Sequence, residues 1–577
     1  MRPMNMKNAT FKNFLFLALM VAAALSLTTA AFAAAPGMTS TAGTAGTFNL
    51  TAQDAFLNQP DGEAVYSWGY GCVTGSKPTF LPAAISGAFC NAMQVPGPTM
   101  IVTEGATVTI NLTNNLPTAA GNTSILFPGF QLTSTCANSA ANPQGLLTCE
   151  AAPGATVTYT FTASAPGTHA YYSGTQGDLQ IEMGLYGAII VLPANPPANC
   201  ATGTSNTNLY GKTDYGTANL VPGFPEHDFR LSTAAYDHPK SCYDREYLFQ
   251  WAEMDSRIHR QALAQVQAKV GCAAGAPGCS LDVQTEPYHP AYFLINGRSM
   301  PDLMDPNYAS EYPHQPYNGN PHMHPGELTL VRTIGQGRWQ HPFHEHANHV
   351  RILSRDGNLV LSPTNPTTSL AGLLMFNTDT TPGESFDGIF YFTGRGLNWD
   401  PYGHHPGPDV GTSPDGTGNP ANDPLAHLPC TPDANGYNTG TTSALNYYEW
   451  CQDHNKPVQV NPFGDVGEGG PATFPDPNVF TNGPWYGGTQ YLGPDASLRA
   501  SMPACTSMTG TGAATPATNC TTLQPSNVQA NPANERGWAF MWHSHNEREI
   551  TTNNVFPGGM LMMMLVDSRE FAIDESN

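Results

Sequence analysis

The sequence predicts an all-β fold of tandem Greek-key β-sandwiches with a long loop-rich insertion. The chain of 577 residues contains 57 glycines and 51 prolines, and only 11% of its residues are charged. This composition favours strands joined by turns over helices. Short runs that alternate between apolar and polar residues recur in a similar order in two regions, as expected of half-buried strands. A chain of this length is also expected to form two or three domains.

The first sandwich is predicted over residues 45–195. From Gln94 the chain reads QVPGPTMIVTEGATVTINLTNNLP, in which apolar residues alternate on both sides of a Glu104-Gly105 turn. The segments PGATVTYTFTASAPGTHAYYSG and GLYGAIIVLP add three strand signals separated by Pro-Gly turns. A linker rich in Pro, Asn and Gly is predicted over residues 196–237.

The second sandwich is predicted from two pieces, residues 238–396 and residues 531–570. The first piece restarts the alternation with REYLFQWAEMD, and the second supplies GWAFMWHSH and GGMLMMMLV, the counterparts of GTHAYYSG and GLYGAIIV. Residues 397–530 are dense in Gly, Pro, Asn and Thr and read as an insertion, with a degenerate third domain as the alternative. One amphipathic helix is predicted, around Asp255 to Val270.

The amino terminus has the layout of a secretory signal peptide over residues 1–33. Arg2, Lys7 and Lys12 precede an apolar run, and small residues ending at Ala33 follow it. This pattern predicts an exported protein, periplasmic or extracellular, whose mature chain begins near Ala34. No later apolar run approaches the length of a membrane span, so no membrane span is predicted.

Twelve cysteines in an exported chain predict disulfide bonds. Neighbouring cysteines lie close in sequence, which makes a sequential set of local bridges the simplest expectation. The pairs are Cys72/Cys90, Cys136/Cys149, Cys200/Cys242, Cys272/Cys279, Cys430/Cys451 and Cys505/Cys520.

The net charge of -22 argues against polyanionic partners. Only 22 residues are Lys or Arg, whereas nucleic acids and anionic lipids are bound through basic patches. The sequence therefore predicts no nucleic-acid partner.

Four histidines carry the strongest signal for chemistry. His344 and His346 in HPFHEH are two residues apart, as are His543 and His545 in HSH. Residues two apart on a strand share a face, so four imidazoles converge if the two strands are neighbours. Four nitrogen ligands without thiolate or clustered carboxylates fit Cu(II) or Zn best. The alternative is that they are buried, hydrogen-bonded histidines without a metal.

The opposite face of the same two strands carries fewer candidate ligands. His341 lies an odd number of residues from His344, and Ser544 lies between the HSH histidines, so both point to the opposite face. A second site there would have one imidazole and one hydroxyl. Glu547 and Glu549 could supply oxygen ligands or relay a proton near a metal, but an exposed charged loop is the favoured interpretation.

These motifs resemble those of the multicopper oxidases of the laccase, copper-resistance and manganese-oxidase group, whose domains are cupredoxins. The family's HPxHxH motif matches His341, His344 and His346, and its HCH motif matches HSH at residues 543–545. VPGPTMIVTEGATVTINLTNNLP and GLYGAIIV resemble the family's first domain. The resemblance implies copper as the cofactor and adds His341 to the predicted metal ligands. In the family, the first His of HPxHxH and the Cys of HCH hold a blue type 1 copper, and the other histidines bind the trinuclear cluster that reduces dioxygen.

Two departures from the family pattern limit what the resemblance implies. Ser544 stands at the HCH cysteine, and a hydroxyl cannot replace the thiolate of a blue copper site. The first-domain HxH motifs read LFPG at residues 126–129 and YSG at residues 172–174. Replacement ligands would have to come from residues that no family motif places, the candidates being His169, His322, His324 and His349.

The predicted function is therefore that of an exported, multicopper-oxidase-like copper-binding protein with a histidine-only site. Its expected role is electron transfer involving a metal ion or a phenol-like small molecule as donor. The alternative is a non-catalytic structural or binding protein on a cupredoxin scaffold. Zinc in place of copper and assembly into an oligomer both stay open at this stage.

Overall fold

The computed structural model describes three main parts of the chain, residues 35–200, 232–392 and 537–567. Short gaps fall at residues 83–84, 86, 135, 137–138, 233 and 324–325, and a few short pieces are described between residues 431 and 516. The predicted signal peptide, most of the linker and most of the insertion lie outside the described residues.

The first region contains ten strands in two five-stranded sheets. The sheet orders are β4-β1-β5-β10-β9 and β3-β2-β6-β8-β7. The strands are β1 (Gly37–Ser40), β2 (Thr47–Asn58), β3 (Ala64–Cys72), β4 (Thr79–Leu81), β5 (Met100–Thr103), β6 (Thr107–Asn114), β7 (Thr133–Ser134), β8 (Thr156–Thr162), β9 (Gly167–Tyr172) and β10 (Tyr186–Leu192).

The two sheets pack face to face around one apolar core. Met100 and Ile189 from the first sheet meet Leu50, Ile110 and Tyr159 from the second, and all five are fully buried. In β6 every second residue is buried, because alternate side chains of a strand point into the sandwich. The chain passes repeatedly between the sheets, which leaves neighbours such as β5 and β10 parallel. The predicted all-β Greek-key sandwich is confirmed.

The second region also forms two sheets, which have seven and six strands. Their orders are β12-β11-β14-β20-β16-β17, with β18 on β16, and β13-β25-β24-β15-β19, with β21 on β24. Their strands are β11 (Arg245–Met254), β12 (Tyr292–Ile295), β13 (His322–Met323), β14 (Leu328–Gly335), β15 (Pro342–Glu345), β16 (Val350–Arg355), β17 (Asn358–Leu359), β18 (Leu374–Met375), β19 (Asn377–Asp379), β20 (Ser385–Tyr391), β21 (Gly488–Tyr491), β24 (Gly537–Ser544) and β25 (Leu561–Asp567). Two further strands, β22 (Thr506–Ser507) and β23 (Thr515–Pro516), pair with each other in a separate two-stranded sheet.

The last two strands, β24 and β25, complete a sheet begun about 200 residues earlier, since β24 pairs with β15 and β25 pairs with β13. In the methionine-rich run of β25, Met562 and Met564 are fully buried in the core beside Trp542 and Phe343. They serve as flexible filler side chains of a closing strand.

The two sandwiches meet through an apolar patch and a buried ionic network. Ala170 and Ile190 of the first sandwich pack with Leu248 and Ile334 of the second. Beside them, Arg332 bonds to Glu246 with an Nη2–Oε2 distance of 2.7 Å and to the hydroxyl of Thr168 at 3.1 Å. The hydroxyl of Thr168 donates in turn to Asp387 at 2.5 Å. Charged residues from three strands of the second sandwich, β11, β14 and β20, therefore form a network that holds Thr168 on β9 of the first sandwich.

The described part of the chain has few helices. Helix α1 spans Gly177–Gln180 and helix α2 spans Ser256–Ala268, with short 3-10 turns at Thr118–Ala120, Ala198–Cys200, Asp302–Met304 and Glu547–Ile550. The predicted amphipathic helix is confirmed as α2, which begins after Asp255, whose side chain accepts a hydrogen bond from the Arg257 amide. Among the described residues, no helix has the length and apolar character needed to cross a membrane.

Four of the predicted disulfides are confirmed. They join Cys72 to Cys90, Cys136 to Cys149, Cys200 to Cys242 and Cys272 to Cys279. The pairs Cys430/Cys451 and Cys505/Cys520 lie outside the described residues.

Candidate metal centre

The four histidines of the two motifs share one face because β15 and β24 are antiparallel neighbours. His344 lies directly opposite His543 in the register of the pair. His346 follows the end of β15 and His545 follows the end of β24, so each lies two residues beyond one member of that pair. Side chains two apart on a strand point the same way, and all four imidazoles therefore meet on the side of the sheet away from the core.

The distances are those of a compact cluster. Ring centroids are 4.7 Å apart for His344 and His346 and 5.5 Å apart for His344 and His543. The ring of the exposed His545 lies 5.0 Å from that of His344. One nitrogen from each of His344, His346 and His543 lies within 4.8 Å of the others. The Nε2 atoms of His346 and His543 are 3.0 Å apart, a separation suited to two ligands about 2.0–2.1 Å from one ion.

The hydrogen bonding of His543 favours a metal-binding tautomer. Its Nδ1 lies 2.6 Å from the carbonyl oxygen of Ser544, so Nδ1–H donates to that oxygen and the lone pair resides on Nε2. Such a bond to the far nitrogen is the usual way in which a protein orients a ligating imidazole. Nε2 of His543 therefore faces the cluster as an acceptor.

The environment also disfavours protonation of His344 and His543. Burial, reinforced by the neighbouring imidazoles, lowers the pKa of His344 to about 4. Burial likewise lowers the pKa of His543, with His545 adding to the effect. Neutral imidazole is the form that binds metal, so the structure presents these rings in the required state near neutral pH.

Apolar side chains border the cluster on its open side. Phe376 is 55% exposed, and its ring lies 5.8 Å from His344 and 5.3 Å from His349.

On the opposite face of β15, Glu345 points into the core beside the hydroxyl of Thr378 at 3.2 Å, and burial raises the pKa of its carboxyl well above its usual range.

His341 lies outside this cluster, in a separate buried network. Its Nε2 is 2.9 Å from Oε2 of Glu253 on β11, and its Nδ1 is 2.9 Å from Oε2 of Glu549 in the turn after β24. The hydroxyl of Ser544 donates to the same oxygen of Glu549 at 2.5 Å. His341 and Ser544 thus share a site on the second face, as their strand positions predict, but two carboxylates join them there. The interpretation of Glu549 as an exposed loop residue is wrong, because its side chain is 1% exposed, whereas Glu547 is exposed.

The charge of His341 should make stability depend on pH. Burial opposes the charge, but the hydrogen bonds that the His341 ring donates to Glu253 and Glu549 outweigh it and raise the pKa of His341 to about 9 from an ordinary 6.5. A histidine whose pKa is raised by folding stabilises the folded state fully at pH values below its ordinary pKa. This contribution is lost as the pH rises through the folded-state pKa of about 9. We expect the difference in unfolding free energy between the parent and His341→Gln to shrink from pH 6 to pH 10, as measured by urea denaturation. A difference that stays constant over this range would contradict the assignment.

Of the replacement ligands considered for the first domain, His169, His322 and His349 are not among the residues whose ring nitrogens converge in the cluster. Leu126 and Tyr172, at the first-domain motif positions, face each other through a backbone hydrogen bond of 2.8 Å. The ring of Phe127 is buried against Phe161, with centroids 4.9 Å apart. His169 is buried against the ring of Phe130. His322 lies in β13 and pairs with Leu565, His349 lies beside Phe376, and His324 is outside the described residues.

Sequence reasoning missed Glu253, one of the two glutamates that hold His341. Glu253 lies in the apolar strand REYLFQWAEM, where it is 3% exposed. A carboxylate within such a run rarely stays buried without a partner. The position of Glu253 in this strand was therefore the sequence signal for a buried polar site. Nothing in the sequence indicated which cation would face it.

The site and fold define a class, that of β-sandwich proteins with a histidine cluster suited to a transition metal. Residues 82–196 match the family model described as multicopper oxidase. This part of the chain is thus a multicopper oxidase domain, and the predicted resemblance is confirmed. The family implies copper as the metal.

Curated relatives align with a short part of the chain. An L-ascorbate oxidase of Brassica rapa subsp. pekinensis is 42% identical over 99 residues, which are 17% of this chain and 16% of that protein. The iron transport multicopper oxidase fetC of Epichloe festucae is 38% identical over 96 residues, or 17% of this chain and 14% of that protein. The aligned part therefore spans less than one fifth of either relative.

Solved structures of the same kind align over a larger part. The multicopper oxidase mgLAC aligns with 59% of this chain and 74% of its own, at 18% identity and a TM-score of 0.34. A copper nitrite reductase from Nitrosomonas europaea aligns with 60% of this chain and 84% of its own, at 19% identity and a TM-score of 0.35.

Proposed function

We propose that the protein is an exported copper-binding member of the multicopper oxidase family with an electron-transfer role at a histidine-only centre. The observation that carries this proposal is the convergence of ring nitrogens from His344, His346 and His543 within 4.8 Å. The signal-peptide pattern of residues 1–33 and the four disulfides support export.

Each residue of the centre has a distinct part in the proposal. His344 and His346 present two imidazoles from β15, and His543 presents Nε2 from β24 while its Nδ1 is held by a carbonyl oxygen. His545 is exposed beside them and would complete the ligand set on the solvent side. A bound copper would supply one-electron chemistry, with its geometry and potential set by nitrogen ligands alone.

The setting of the centre also bears on the electron donor. Phe376 and Met541 leave apolar surface exposed near the histidines, at 55% and 37% of their area. Such a border suits contact with a phenol-like small molecule, and the adjacent imidazoles suit a metal ion. The donor in the proposal belongs to one of these two classes.

A second candidate function is a non-catalytic copper-binding or structural role. Aromatic and aliphatic side chains fill the first-domain motif positions, where Phe127 is 4% exposed within the core. The first domain therefore offers no imidazole pair opposite the histidine cluster among the described residues. Copper binding without turnover of electron donors is the expected behaviour under this alternative.

Spectroscopy of the copper-loaded protein tests the proposal. Protein recovered after export, with an amino terminus expected near Ala34, is loaded with Cu(II), dialysed and examined by electron paramagnetic resonance and visible absorption. We expect a signal with nitrogen hyperfine coupling and no intense blue band, because Ser544 supplies no thiolate. Oxidation of phenolic donors or reduced metal ions by this form would support electron transfer, and copper without turnover would favour the second candidate. An intense blue band, or prior occupation by zinc that copper cannot displace, would overturn the proposal.

A further inference from the structure

A second buried polar site lies on the core side of β15 and β24, where the family motifs would hold a mononuclear copper. His341 is 0% exposed, and Glu253, Glu549 and Ser544 around it are 3%, 1% and 0% exposed. They come from β11, the residue before β15, the end of β24 and the 3-10 turn that follows β24. The site is therefore assembled from four parts of the second region.

The hydrogen bonds of this site leave no imidazole lone pair for a metal. Each ring nitrogen of His341 lies 2.9 Å from a carboxylate oxygen, one on Glu253 and one on Glu549. A neutral imidazole has one N–H and an ionised carboxylate only accepts. Hydrogen bonds from both ring nitrogens to carboxylate oxygens therefore require one more proton than a neutral histidine and two ionised carboxylates carry.

The surroundings place that additional proton on the imidazole. The other oxygen of Glu253 accepts from the backbone amides of Arg338 and Trp339 at 2.7 and 2.8 Å. On Glu549, Oε1 accepts from the side-chain amide of Asn546 at 2.9 Å, and Oε2 also accepts from Ser544. Donors of this number favour the ionised carboxylate.

Further charged and titratable groups stand behind the site. The hydroxyl of Tyr288 donates to Glu182 at 2.6 Å and lies 3.1 Å from Glu253. The guanidinium of Arg338 lies 4.2 Å from the centre of the Tyr288 ring. His341 is the imidazole between the two carboxylates, so it is the group best placed to balance their charge.

We propose that His341 is an imidazolium clamped by Glu253 and Glu549, which takes the place of a mononuclear copper and excludes metal from this pocket. A metal at His341 would have to displace a proton and break one of its two charge-assisted hydrogen bonds, which are among the strong ones in proteins. Ser544, bonded to Glu549, is tied to the same clamp. Because Ser544 lies between His543 and His545, the clamp is also a positioning device for that strand end.

Nitrogen-15 magnetic resonance of histidine-labelled protein tests the clamp directly. The signals of His341 are assigned by their loss in His341→Gln, whose fold is verified by circular dichroism, and the protonation state is read from the parent. We expect both ring nitrogens of His341 to carry protons at pH 7, whereas His344 and His543 show the neutral pattern. A neutral pattern for His341 at pH 7 would overturn the proposal. The result does not depend on whether the four-histidine cluster binds copper.

Restoring the family's cysteine gives a second, independent test. Ser544→Cys is compared with Ser544→Ala, each loaded with copper and dialysed like the parent. We expect equal copper contents in the two variants and no intense blue band, because His341 remains occupied by its two carboxylates. One additional copper per chain together with a blue band in Ser544→Cys would show that His341 accepts metal and would refute the clamp.

Discussion

Replacing His344 and His346 together by alanine is expected to abolish copper retention. The two residues supply two of the three nitrogens that lie within 4.8 Å of one another. Loss of a group that merely orients a ligand typically weakens metal binding by about 10–100-fold, so loss of two ligands should exceed about 100-fold. Elemental analysis after copper loading and extensive dialysis should find copper in the parent and none in the variant.

His349→Ala is the matched control for this experiment. His349 lies three residues after His346, and its ring packs against Phe376 rather than against the cluster. It should therefore retain copper like the parent. Equal retention by the parent and the double variant, with the fold of each verified by circular dichroism, would mean that copper binds elsewhere.

Replacing Arg332 by alanine is expected to destabilise the fold by about 3–5 kcal/mol, the usual cost of removing one partner of a buried ion pair. Arg332 is 0% exposed and is bonded to Glu246, Thr168 and Asp387. Its loss leaves two carboxylates buried without a counter-charge, and removes a contact between the sandwiches. Urea denaturation followed by tryptophan fluorescence should show a lower midpoint for the transition.

Arg355→Ala provides the comparison at a solvated pair. The Arg355–Glu384 distance is 2.8 Å, but the two side chains are 37% and 27% exposed. Pairs of this kind contribute about 0–1 kcal/mol, so its midpoint should stay near that of the parent. Similar midpoints for Arg332→Ala and Arg355→Ala would rule out a special contribution from the buried network.

Local regularities of the sequence carried most of the successful predictions. The period of two in residues such as Val108 and Ile110 marks a strand with one buried face, and the structure buries both. The same period placed His344 and His346 on one face. The helix after Asp255 and the sequential disulfides were likewise predictable, because each depends on residues close together along the chain.

Contacts between distant parts of the chain were not predictable in this way. His341 and Glu253 are 88 residues apart, and His341 and Glu549 are 208 apart. No local periodicity predicts a contact between residues so far apart in the sequence. The Asn-Glu-Arg-Glu run after HSH also looks like an ordinary charged loop. The network that joins Arg332 to Thr168 spans 164 residues and has no sequence signal for the same reason.

The pairing of β15 with β24 bears on whether the stretch of chain between them can be lengthened or shortened. His346 and His543 meet at 3.0 Å although 197 positions separate them. A metal bound by both histidines would close the intervening chain into one large loop. It would act as a cross-link that is removed when the metal dissociates. Because the entropy of closing a ring grows only with the logarithm of its length, residues could be added to or lost from the intervening stretch at little thermodynamic cost to the fastening.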